Sequence, residues 1–257
     1  MLPPSNEMLK HATSALLIAT QAAAASTSCG ADAMLVFDGS GSMAEIGLEA
    51  STPRIIDARA AIARALPQVE VFRDLGLLVY GPGTLGGCSN IDLRFAPEPR
   101  AADKIIGAVD ALAPGGMTPL SASVEKAAEV LNFRTQPATI VLVTDGNETC
   151  GGTPCALGRQ LQAQGADLTV HVIGFKFRFD FFGWDNPEQS ATGGDTVAKC
   201  LSDETGGTYV STETVDELVD ALNATLGCAL IGALPQRKTA LPKEGRLLSA
   251  GGQTGKI

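Results

Sequence analysis

Histidine is nearly missing from this 257-residue chain, which has only His11 and His171. A serine or cysteine hydrolase needs a base beside its nucleophile, and His171 lies in the middle of an apolar, strand-like run, so no triad can be assembled. Positive charge is also scarce: 19 Lys and Arg stand against 28 Asp and Glu, a formal net charge of -9. With no basic patch to neutralise phosphates, nucleic acid is excluded as a partner. No apolar run reaches the about 20 residues that span a bilayer. The glycine-rich stretch Asp38-Gly39-Ser40-Gly41-Ser42 lacks the lysine of a P-loop and the Gly-x-Gly-x-x-Gly spacing of a dinucleotide site. No repeat at solenoid spacing is present.

What the chain does have is apolar residues (45%) and 29 glycines, ample for one α/β domain of about 200 residues plus tails. Met34-Leu35-Val36-Phe37 has the length of a buried strand and ends abruptly in Asp38-Gly39-Ser40-Gly41-Ser42. In an open α/β sheet, ligands bind at the carboxyl ends of central strands. The glycines let the backbone curl so that the oxygens of Asp38, Ser40 and Ser42 converge. A donor set made only of oxygens selects a hard cation such as Mg2+, Mn2+ or Ca2+ over zinc. The bland alternative is an ordinary polar turn, since turns use the same residues.

Two further pieces join this stretch: Thr118, in a Gly115-Gly116-Met117-Thr118-Pro119 loop that opens a helix, and Asp145, which ends the apolar run from Thr139 to Thr144. The combination resembles the von Willebrand factor type A (VWA) domain and its metal-ion-dependent adhesion site, over about Ala31 to Leu226. The resemblance implies that Ser40, Ser42 and Thr118 lie nearest a divalent cation, while Asp38 and Asp145 act largely through bound water. It also implies a binding module that captures a carboxylate of a protein partner, not an enzyme. A structural module whose metal only braces the fold is the alternative. A phosphatase using Asp38 as nucleophile is a distant third, because the second acid it wants two residues on is here Ser40.

Strand-like and helix-like stretches alternate along the chain. Ile55, Ile62, Leu66 and Val69 fall at helical spacing; Leu75 to Tyr80 is a short apolar strand; Ile91 to Phe95 alternates as a half-exposed edge strand hairpinned to it. Helices follow around Ala102 to Leu112 and Leu120 to Leu131, then the strand before Asp145. A helix over 156–165, a strand over 168–175, a helix over 197–204 and a short strand over 208–211 precede a closing helix. That helix opens with a capping box, Thr214 and Glu217. The pattern predicts a doubly wound, mostly parallel six-stranded sheet, order 3-2-1-4-5-6, with strand 3 an antiparallel edge and helices on both faces. That order makes the strands ending in Asp38 and Asp145 neighbours.

Residues 1–25 read as an export signal processed near Ala25, since an apolar segment ends there in small residues. The domain then covers 31–228, and 229–257, which mixes proline, glycine and basic residues without a period, reads as a disordered tail. Export favours disulfides, periplasmic or secreted. Six cysteines are expected to pair by position in the sheet: Cys29 with Cys228 at the edge opposite the metal, Cys88 with Cys150 at the metal edge, and Cys155 with Cys200 at the starts of consecutive helices. Connectivity is not deducible from sequence alone. A zinc cluster is disfavoured by the lack of histidine and of a second close cysteine pair. Five of the nine phenylalanines fall within 175–182 and the only tryptophan follows. Phe179, Phe181, Phe182 and Trp184 leave the sheet on the metal side as a candidate ligand rim, or else the alternate Phe residues extend a strand and pack inward.

Overall fold

The structure is a computed structural model that describes residues 30–46, 51–83, 87–176 and 197–228. The predicted export signal, Cys29, the aromatic segment with Phe179, Phe181, Phe182 and Trp184, and the 229–257 tail lie outside the described residues. Strands β1 (Ala33–Asp38), β2 (Leu75–Tyr80), β3 (Ile91–Glu98), β4 (Pro137–Thr144), β5 (Asp167–Phe175) and β6 (Tyr209–Thr212) form one sheet in the order β3-β2-β1-β4-β5-β6. All neighbours run parallel except β2 and β3. The sheet therefore has the doubly wound order and the antiparallel edge expected from the residue pattern.

Among the described residues six α-helices cover the two faces: α1 (Arg54–Val69), α2 (Ala102–Asp110), α3 (Leu120–Val130), α4 (Pro154–Gln164), α5 (Lys199–Thr205) and α6 (Val215–Leu226). Successive strand side chains point to opposite faces, so β1 feeds two cores. Ala33, Leu35 and Phe37 pack with α1, α2 and α6, while Met34 and Val36 pack with α3, α4 and α5. Because both faces are covered, every β1 residue is buried. Each large apolar side chain so buried stabilises the fold by about 1.5–3 kcal/mol before entropy is subtracted. Thr214 caps α6 by accepting from the Glu217 N–H, and Glu217 returns a carboxylate to the Thr214 N–H.

Several element boundaries differ from the sequence reading, those of α4, β5 and β6 among them. β3 runs on to Glu98 through Pro97, because β2 and β3 carry a register shift near Gly76 where a strand tolerates proline. α5 starts two residues later than 197 and ends at Thr205, where Gly206 takes the left-handed conformation (φ 71°) that stops it. Cys88 is joined to Cys150, tying the β2–β3 connection to the β4–α4 loop, and Cys155 is joined to Cys200, tying α4 to α5. Cys228 is disulfide-bonded as well. Among the described residues no helix is long and apolar enough to cross a membrane.

Candidate metal centre

The register of the sheet sets the site. β1 and β4 lie side by side with Phe37 opposite Val143, so Asp38 is level with Thr144 and Asp145 stands one residue beyond, at the carboxyl edge. Each acid is turned from the core into hydrogen bonds. Asp38 Oδ1 accepts from the Ser40 N–H (2.8 Å) and Oδ2 from the Thr144 hydroxyl (2.6 Å). The fully buried Tyr80 hydroxyl donates in turn to Thr144 Oγ1 (3.1 Å). Burial first, and the charge of Asp38 second, push the Tyr80 phenol well above its usual range, so it remains a donor.

After β1 the chain turns through Gly39 and Ser40 into a short 3-10 turn, Gly41–Ala44. The turn is closed from outside by the loop before α3: Gly41 N–H donates to the Gly116 carbonyl (3.2 Å), and Gly115 N–H to the Gly39 carbonyl (2.9 Å). A Cβ on Gly116 (φ 73°) would meet the carbonyl oxygen of Gly81, just after β2, at 2.3 Å, so only glycine lets the loop before α3 lie against the end of β2. Thr118 is held from the other side, its N–H donating to Thr149 Oγ1 (2.8 Å) and its carbonyl accepting from the Thr149 N–H (3.1 Å).

The result is a cleft of about 220 Å3 lined by Ser40, Ser42, Thr118 and Asp145, with Asp38 buried behind it. Ser40 and Ser42 hydroxyls are 3.1 Å apart, and Ser42 donates to Asp145 Oδ1 (2.6 Å). All five residues singled out in the sequence thus gather at one place. Phe179, Phe181, Phe182 and Trp184 are outside the described residues.

Arg54 is the participant that sequence reading missed. It opens α1, is only 2% exposed, and its Nη1 donates to Asp145 Oδ2 (2.9 Å) and the Ser42 carbonyl (2.8 Å). A signal existed: a basic residue in the first turn of a helix opposes the helix dipole, and such local contradictions mark functional or strained places. Burial, then the nearby Asp38 charge, raise the Asp145 carboxyl to about 7, against the opposing pull of the Ser42 hydroxyl and Arg54. His171 serves elsewhere. Its Nδ1 accepts from the Thr208 N–H (3.1 Å), and burial followed by Arg73 lowers it to about 4, so the ring is neutral and structural.

No protein-family model matches the chain. The uncharacterized protein YwmD of Bacillus subtilis (strain 168) is 29% identical over 214 residues, 79% of this chain and 88% of YwmD. Among solved structures, the pilus adhesin SpaC of Lactobacillus rhamnosus GG superposes with a TM-score of 0.58 at 16% identity, over 77% of this chain and 30% of SpaC. The von Willebrand factor type A structure from Catenulispora acidiphila gives 0.51 at 16% identity, over 77% of this chain and 42% of that one. This chain has the VWA fold. Proximal thread matrix protein 1 of the mussel byssus, in a structure whose metal-ion-dependent adhesion site holds zinc, gives 0.50 at 18% identity, over 77% of this chain and 46% of that one. The chain spans less than half the length of each of these three solved structures.

The donors at the VWA cleft suit a hard divalent cation. They are three hydroxyls and two carboxylates with no nitrogen or sulfur. Among the described residues no three His, Cys, Asp or Glu side chains gather round one point.

Proposed function

We propose that this chain is an exported binding module whose cleft takes a divalent cation, Mg2+ by preference over Mn2+ or Ca2+, and uses it to capture a carboxylate of a protein partner. Ser40, Ser42 and Thr118 hold the ion directly, and Asp38 and Asp145 through water. The observation that carries this reading is the pair of seryl hydroxyls 3.1 Å apart in an open cleft, backed by Asp145. An ion held mainly by neutral hydroxyls keeps enough charge to accept an anionic ligand. SpaC is an adhesin and the mussel protein's site holds a metal, which supports a binding role over an enzymatic one. Disulfides fit an extracellular protein; we assign it to the periplasm or the secreted fraction, with residues 1–25 as export signal, 31–228 as the functional domain and 229–257 as a tail. The direct test is capture from envelope extract on immobilised protein: bound partner should be lost in EDTA and restored by Mg2+.

The second reading, a cation that only braces the fold, has one observation in its favour: all four carboxylate oxygens of Asp38 and Asp145 already accept from protein donors. Capture that persists in EDTA would establish it.

Protons should compete with the cation. The Asp145 carboxyl is raised to about 7, above its unfolded value, so its contribution to the stability of the cation-free protein is full at acid pH and is lost as pH rises through 7. The cation needs the ionised form. Apparent affinity should therefore fall by up to about tenfold per pH unit below 7 and level off above it. Titration calorimetry in two buffers of different ionisation enthalpy should read close to one proton released per ion at pH 6 and almost none at pH 8.5.

A further inference from the structure

A guanidinium beside a cation site disfavours cation uptake by simple Coulomb repulsion, and Arg54 is not a stray surface charge. Its side chain is 3% exposed and the Asp145 side chain it pairs with is fully buried. One nitrogen, Nη1, serves Ser42 O, Asp145 Oδ2 and, at 3.4 Å, Glu45 Oε2, while the buried Nε has no hydrogen-bond partner. The guanidinium lines the same cleft as Ser40, Ser42 and Thr118.

The charges add up differently with and without it. Asp38 and Asp145 alone would be neutralised by a divalent ion, leaving a loaded site of no net charge. With Arg54 the loaded site carries one positive charge. Glu45, whose side chain is 62% exposed, is screened by solvent and offsets this only weakly. We propose that Arg54 is the specificity-determining residue of the site: it gives up cation affinity so that the loaded cleft stays electropositive and selects an anionic, carboxylate-bearing ligand. This rests on the reading above that the cleft takes a divalent cation.

The two effects have opposite signs, which a purely structural role would not produce. Mn2+ uptake is followed by electron paramagnetic resonance, and acetate binding to the Mn2+-loaded protein by water-proton relaxation. Arg54→Gln should bind Mn2+ at least tenfold more tightly and acetate at least tenfold more weakly, with Arg54→Lys within about threefold of the parent in both. Weaker Mn2+ binding by Arg54→Gln would show that Arg54 merely props Asp145, and unchanged acetate binding would show that it does not select the ligand; either overturns the proposal. Glu45→Gln removes an exposed charge and does not depend on a core variant folding. It should tighten acetate at least twofold and loosen Mn2+ by a similar factor, and no change in either constant would also overturn the proposal. If the parent protein takes up no Mn2+, the site reading itself fails, a result distinct from a shift in the wrong direction in the variant.

Discussion

Asp145→Ala is expected to destabilise the cation-free domain by about 3–5 kcal/mol at pH 8, where Asp145 is ionised, because the change removes the buried carboxylate that pairs with the Arg54 guanidinium, whose side chain is itself 3% exposed. Asp38→Ala should cost less, about 1–3 kcal/mol, since it orphans the Ser40 N–H and leaves the Thr144 hydroxyl only the Gly146 carbonyl (3.2 Å) as acceptor, but strands no charge. Both variants should lose cation-dependent capture. The residue pattern alone would treat the two acids as equivalent ligands; the hydrogen bonds separate them. Urea denaturation in EDTA reads the difference, and Asp145→Ala combined with Arg54→Met should recover at least half of the loss. Equal stabilities for the two single variants would mean that the Arg54 pair contributes nothing.

The second large effect concerns the disulfides. Cys88–Cys150 closes a sequence separation of 62 and Cys155–Cys200 one of 45. Chain entropy assigns both about 4 kcal/mol as an upper figure, so replacing either pair by serine should cost similar stability. Their effect on the site should differ. Cys150 follows Thr149, whose hydroxyl and N–H hold Thr118 against the cleft, whereas Cys155 and Cys200 lie between α4 and α5. Cation affinity should fall at least about tenfold in Cys88→Ser/Cys150→Ser, by analogy with loss of groups that orient ligands, and stay within about twofold in Cys155→Ser/Cys200→Ser. Calorimetry at a temperature where both variants remain folded tests this; equal affinities would uncouple the first disulfide from the cleft.

What could be read from the sequence was whatever leaves a local trace. The switch from Met34–Phe37 to Asp38-Gly39-Ser40 announces a strand end with polar oxygens, and the apolar run before Asp145 announces a second. The periods of Ile55, Ile62, Leu66 and Val69, and of Leu218 and Leu222, place α1 and α6. Thr144 and Tyr80 leave no such trace, because their roles depend on cross-strand register: Tyr80 sits opposite Asp38, and Thr144 is level with it across β4. Spacing along the chain does not encode which residues meet across it. The extension of β3 through Pro97 was hidden for a related reason, since proline argues against a strand unless a neighbouring irregularity excuses the missing donor.

The two outer strands of the sheet carry a consequence for crowding. An open edge invites other chains to add a strand and polymerise. Here β3 has an irregular register with β2, contains Pro97, and displays the ion pair of Arg94 and Asp92 (3.1 Å), while β6 is only four residues long. At high local concentration, copies of the domain should therefore be poor templates for edge-to-edge strand addition and stay separate.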